Sequence, residues 1–68
     1  MKINKEKIDL IIANKGMLLK DVASASGLSE LAFRNIRQGK VKPRLITIGR
    51  IATALDVNVE DIIKGGDL

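Results

Sequence analysis

Residues 27–40 read GLSELAFRNIRQGK, and the fold is decided by how this stretch is folded and which way its side chains point. Gly27-Leu28-Ser29 is a three-residue break. Ser29 is a strong helix N-cap, and Leu28 before it with Phe33 inside the helix forms a hydrophobic staple. Gly39 sets the far end. At about 100° per residue, Ala32, Phe33 and Ile36 gather on one side. Leu31, Arg34, Asn35 and Gln38 gather on the other, with Glu30 and Arg37 towards a flank. The first group must be the buried one, so Leu31 points outward beside an amide pair and an arginine. A lone exposed leucine needs no explanation; its company does.

Outward from that helix, the pattern predicts four more and no competing strand. Helix one begins at Asn4, with Ile3 and Ile8 as a staple, and runs to about Asn14 with Ile8, Ile11 and Ile12 inward; Gly16 stops it. Helix two covers Leu19 to Ser26, burying Val22 and Ala23, with Gly27 at its left-handed C-terminal position. Helix four follows Pro43 over Leu45 to Leu55, its apolar stripe being Leu45, Ile48, Ile51, Ala52 and Leu55. Helix five begins at Asn58, with Val57 and Ile62 as a third staple, places Glu60 and Asp61 where the helix dipole favours acids, and ends at Gly65-Gly66. The expected architecture is all-α: a compact five-helix domain over residues 1–64 with a short tail at 65–68. The apolar stripes are core rather than a cofactor box, because a chain this short needs all of them to offset its ordering entropy.

The composition narrows the partner. The 68 residues contain no cysteine and no histidine, which removes disulfides and the usual zinc frameworks. No apolar run approaches a membrane helix and no signal-peptide pattern opens the chain, so the expected location is the cytoplasm. The net charge of +4 is unevenly spread. Residues 31–55 hold six basic side chains (Arg34, Arg37, Lys40, Lys42, Arg44 and Arg50) and no acid, whereas the remainder holds six basic and eight acidic groups. A one-sided basic block marks contact with a polyanion, unless it is simply a solvated face.

Geometry favours the polyanion. Two short helices joined by such a break form the helix-turn-helix unit, whose second helix enters the DNA major groove. The outward residue types suit that groove: Asn35 matches adenine, Arg34 guanine, and Leu31 a thymine methyl. Glu30 fits either as an acceptor from cytosine or as an acid placed by the helix dipole alone. Arg37 fits a phosphate contact or a local ion pair equally well.

The stretch MLLKDVASASGLSELAFRNIRQGKVKPRLITIGRIATALDVNVEDII resembles the Cro/cI-type helix-turn-helix repressors, the XRE family with a lambda-repressor-like domain, and the resemblance covers residues 4–63. It lies in the spacing of DVA, SGLSELAFRNIRQGKVKP and ITIGRIATALDVNVEDII. The resemblance implies a five-helix domain in which helix three reads bases. Glu30, Leu31 and Asn35 occupy the base-contacting places, Arg34 and Gln38 lie beside them, and Lys40 and Lys42 fall in the phosphate-binding loop with Arg44 just beyond.

Three positions depart from the family. Leu18 replaces a polar helix cap, and Leu19 replaces a glutamine that often touches phosphate, leaving Lys20 or free backbone N–H groups for that contact. Arg37 replaces a glutamate whose family partner in helix one is an arginine. Ile12 stands at that partner position, so the sequence implies that both halves of the ion pair are missing together.

The leading expectation is therefore a sequence-specific double-stranded DNA-binding transcriptional regulator, a repressor in the image of the family. The alternative is a protein-interaction module such as the antitoxin half of a toxin–antitoxin pair. Catalysis is disfavoured: no histidine, cysteine or tyrosine is present, and no acid pair or phosphate loop is visible. Single-strand or RNA binding uses exposed aromatics, and the sole aromatic, Phe33, faces the core. No cofactor, metal or small-molecule ligand is expected. A chain of this length leaves no separate dimerisation domain, so the expected homodimer uses the fold's own surface, with helix five and the start of helix four as its candidates.

Overall fold

Helix starts and stops follow from local chemistry. The computed structural model describes residues 2–64, which form α1 (Lys5–Lys15), α2 (Leu19–Ala25), α3 (Glu30–Arg37), α4 (Leu45–Ala54) and a 3-10 turn, Val59–Asp61. The Asn4 side chain accepts the Lys7 N–H at 3.2 Å and Ser29 Oγ accepts the Ala32 N–H at 3.0 Å. Each thereby satisfies a first-turn donor that the helix itself leaves open. The starts of α2 and α4, at Leu18 and Arg44, have no side-chain cap, as the sequence implies at Leu18.

All four helices close through a residue with left-handed backbone: Gly16, Gly27, Gly39 and Asp56. At Gly27 the reason is visible. The Leu28 N–H reaches back to the Ala23 carbonyl at 2.9 Å, which needs φ near its observed 73°, a value that a side chain disfavours. Space is not the constraint, because a Cβ there would meet only Arg50 Nη1 at ordinary contact distance, 3.8 Å. At Asp56 a non-glycine residue adopts the same geometry with φ 57°; aspartate is among the few residues that tolerate it.

α2 packs against both α3 and α4, and α4 packs against the 3-10 turn. Between them Ile8, Val22, Phe33, Ile51, Leu55 and Ile62 are wholly buried. Ser26 is buried too, and its hydroxyl donates to the Val22 carbonyl at 2.7 Å, so no polar group is stranded. The expected inward faces of the first four helices hold with one correction. Leu45 continues the α4 stripe by spacing, yet it is 67% exposed, because the stripe begins before the elements it packs against do.

A second correction concerns the fifth helix. The described residues hold four α-helices, and the expected fifth is a single 3-10 turn. Its start is as read: the Asn58 N–H donates to Asp61 Oδ2 at 3.0 Å. The chain then leaves helical geometry at Ile62 (φ −123°, ψ 6°), and Ile63 pairs with Ile3 in an isolated antiparallel bridge. Ile62 and Ile63 are both buried, and the bridge buries the second on a course that a continued helix would not follow. The expected helix end at Gly65-Gly66 and the tail at 65–68 lie outside the described residues.

Candidate nucleic-acid interface

α3 is held by its inner face and presents its outer face. Phe33 is 0% exposed and Ile36 nearly buried, whereas Leu31 is 68% exposed. Glu30, Arg34 and Gln38 are exposed with it, and Asn35 is half-buried. The structure therefore arranges the sequence-predicted base-reading side chains as an outward surface on one helix, Asn35 lying deepest.

Two of these residues are already engaged with each other. Arg34 Nη2 donates to Glu30 Oε1 at 3.1 Å, one turn apart, with both side chains about half exposed. An exposed pair at this spacing is worth only about 0.3–0.5 kcal/mol, so it orients both groups without committing either. Guanine offers Arg34 a bidentate alternative, and the pair opens at little cost.

Arg37 takes the ion-pair alternative. Its Nε donates to Asp9 Oδ1 on α1 at 2.6 Å, and its side chain is only 18% exposed. The expectation that the α1–α3 pair is missing is thereby corrected: the charges are exchanged and the α1 partner has moved one turn, from position 12 to position 9. Ile12, at the family's partner position, is buried instead.

Beyond α3 the chain closes tightly, with the Lys40 N–H donating to the Asn35 carbonyl at 2.9 Å. Lys40, Lys42 and Arg44 follow, all exposed, in the short connection to α4. Gly39 and Lys42 border a common concavity, so the loop lysines follow directly on α3. Lys20 is exposed in the first turn of α2. Arg50 belongs to the same basic block in sequence but lies apart from this loop, against the Gly27 turn.

A helix-turn-helix with an acid-free loop after its second helix is a nucleic-acid-binding arrangement, and the sequence comparisons agree. Residues 7–64 match the Cro/C1-type HTH DNA-binding domain. The chain belongs to that family. The HTH-type transcriptional regulator DdrOP3 of Deinococcus deserti is 27% identical over 60 residues, spanning 88% of this chain and 46% of its own length. The chain thus spans about half the length of that curated relative.

Two solved structures share the fold of this chain. The restriction-modification controller protein C.AhdI of Aeromonas hydrophila superposes with a TM-score of 0.78 at 24% identity, over 84% of this chain and 86% of that one. The clp gene regulator ClgR of C. glutamicum gives 0.75 at 23% identity, over 84% and 74%. Family membership makes residues 7–64 a DNA-binding domain. A Cro/C1-type domain is a DNA-binding class rather than an enzyme class, and no cluster of metal-ligating side chains occurs among the described residues. No helix there is long and apolar enough to cross a membrane.

Proposed function

We propose that the protein is a sequence-specific transcriptional repressor that binds double-stranded DNA as a homodimer and reads the major groove with α3. The observation carrying this reading is the division of α3: Phe33 and Ile36 fix it to the core, while Leu31, Arg34 and Asn35 on the same eight-residue helix, and Gln38 at its C-cap, are left outward. Asn35 pairs with adenine, Arg34 with guanine once released from Glu30, and Leu31 packs on a thymine methyl. Glu30 then faces a cytosine amine, and Gln38 reads or positions at the far end of the helix.

Lys40, Lys42 and Arg44 neutralise phosphates beyond α3, and Lys20 does so from α2. Arg37 acts through Asp9 in holding α3 rather than on phosphate. Repression follows from occupancy of a promoter, which places the protein's work in the cytoplasm. Leu45 and Ile46, 67% and 64% exposed at the start of α4, supply the apolar contact between copies.

Selection of bound duplexes from a random pool, followed by footprinting, tests binding, site and symmetry together. A pseudo-palindromic consensus with protection in the major groove is expected. No enrichment of any sequence would overturn the reading and favour a protein-interaction module such as an antitoxin.

A further inference from the structure

Lys2 and Lys64 lie far outside the basic block in sequence, and the fold brings them to its edge. Ile3 and Ile63 form the bridge, the Lys64 N–H donates to the Lys2 carbonyl at 3.0 Å, and the Asn4 N–H donates to the Ile62 carbonyl at 2.9 Å. Ile63, 2% exposed, anchors this seam in the core. The two exposed lysines join Lys42 around one concavity of about 280 Å³, whose floor is Ile3, Ile36, Val41 and Pro43. No carboxylate lines it among the described residues. Lys64 and Gly39 also border the adjoining concavity, which reaches Gln38 at the end of α3 and is lined by Glu6 and Asp9 on its α1 side. The lysine-lined dish meets the loop that follows α3 at Gly39 and Lys42.

Three ammonium groups around an apolar floor suit a phosphodiester. Lysine binds phosphate as a point charge, and the apolar floor accommodates the C–H face of a sugar. A long polyanion beginning at α3 satisfies both features at once, and the repulsion among like charges falls when it binds.

We propose that Lys2, Lys42 and Lys64 form a second anchoring site for the DNA backbone, gripping phosphate outside the base pairs read by α3. The proposal rests on the DNA-binding function above and adds to it two lysines outside the helix-turn-helix. Its signature is a contact that depends on flanking duplex and is indifferent to base sequence.

The test compares the wild-type chain with Lys2→Gln/Lys64→Gln, which keeps the backbone bridge. Both are titrated with salt on a selected site carrying long flanks and on one trimmed to the footprint of α3. On long duplex the double variant should lose about 1.8 from the salt slope per bound protomer, about 0.9 for each contact, with base preference and far-ultraviolet CD unchanged. Trimming should cost the wild type about 2.7, because the Lys42 contact goes with the other two, and the variant only about 0.9. An unchanged slope on long duplex overturns the second site while leaving α3 recognition standing. Absence of salt-dependent duplex binding by the wild type overturns both. Saturable binding of inorganic phosphate by NMR, together with an unchanged slope, makes the dish a free-anion site and overturns the duplex assignment.

Discussion

Arg37 on α3 donates to Asp9 on α1 across 2.6 Å, joining residues 28 positions apart. The bond fixes the C-terminal end of α3 against the first helix, while the N-terminal end is fixed by the Ser29 cap. Held at both ends and along Phe33 and Ile36, α3 presents its outer side chains as a rigid set, and rigid placement is what base discrimination requires.

That pair makes a two-sided prediction. Asp9→Asn and Arg37→Ala should each cost about 1 kcal/mol of stability, because Asp9 remains 40% exposed and solvent screens much of the attraction. Urea melts measure it. Arg37→Ala should leave the salt slope of DNA binding unchanged. A slope lower by about 0.9 with stability intact would instead make Arg37 a phosphate contact.

The two faces of α3 should separate cleanly on mutation. Phe33, 0% exposed, loses about 3–5 kcal/mol on substitution by alanine. A domain of this size has roughly 3–10 kcal/mol in total, so Phe33→Ala should unfold it, visible as loss of far-ultraviolet CD. Asn35→Ala should preserve the CD spectrum, cost about 1–3 kcal/mol on the preferred duplex and relax preference at one base pair. Specificity that survives Asn35→Ala intact removes this residue from the reading set.

What could be read from the chain alone tracks how local its causes are. Ser29, Asn4, Gly16 and Gly27 act within one turn of themselves, and their positions mark the first three helices without reference to packing. The outward course of Leu31 followed from helical spacing alone. Leu45 misled because periodicity shows which way a side chain points but not where the neighbouring element ends. The fifth helix misled because Asn58 and the Val57–Ile62 staple define a start, whereas its length depends on Ile63 meeting Ile3. Asp9–Arg37 was hidden for the same reason: the family pattern pointed to position 12, and a partner one turn away on the same helix serves equally well.

Asp56 offers a check on backbone geometry. With φ at 57° it closes α4, its N–H and that of Val57 donating to Thr53 and Ala52 at 3.0 Å each. A β-branched side chain pays about 1–2 kcal/mol in this region. Asp56→Val should therefore lower the denaturation midpoint, and Asp56→Gly should retain or raise it. Equal midpoints for both variants would mean that the turn opens in solution.

The last prediction concerns symmetry. One eight-residue helix spans only a few base pairs, and specific binding against competing sites needs about 10³-fold or more over background. Three or four base-reaching side chains at about 1–3 kcal/mol each reach that with little margin once ordering costs are met. A second copy doubles the readout, and a two-fold dimer is the commonest closed arrangement. Leu45 and Ile46 are exposed at the start of α4, and burial of such side chains contributes about 1.5–3 kcal/mol apiece. Pairing through them should set two copies of α3 about 34 Å apart, one turn of DNA. Sedimentation with a selected duplex should find two chains per pseudo-palindrome. Leu45→Glu/Ile46→Glu should leave the fold intact, because neither side chain is in the core, yet yield one chain per duplex with weakened specificity. A wild-type one-to-one complex on an asymmetric site, with full specificity, would sink the dimer and leave a monomeric reader. Two-to-one binding that survives the double substitution would keep the dimer but move its surface away from the start of α4, towards Val59–Asp61.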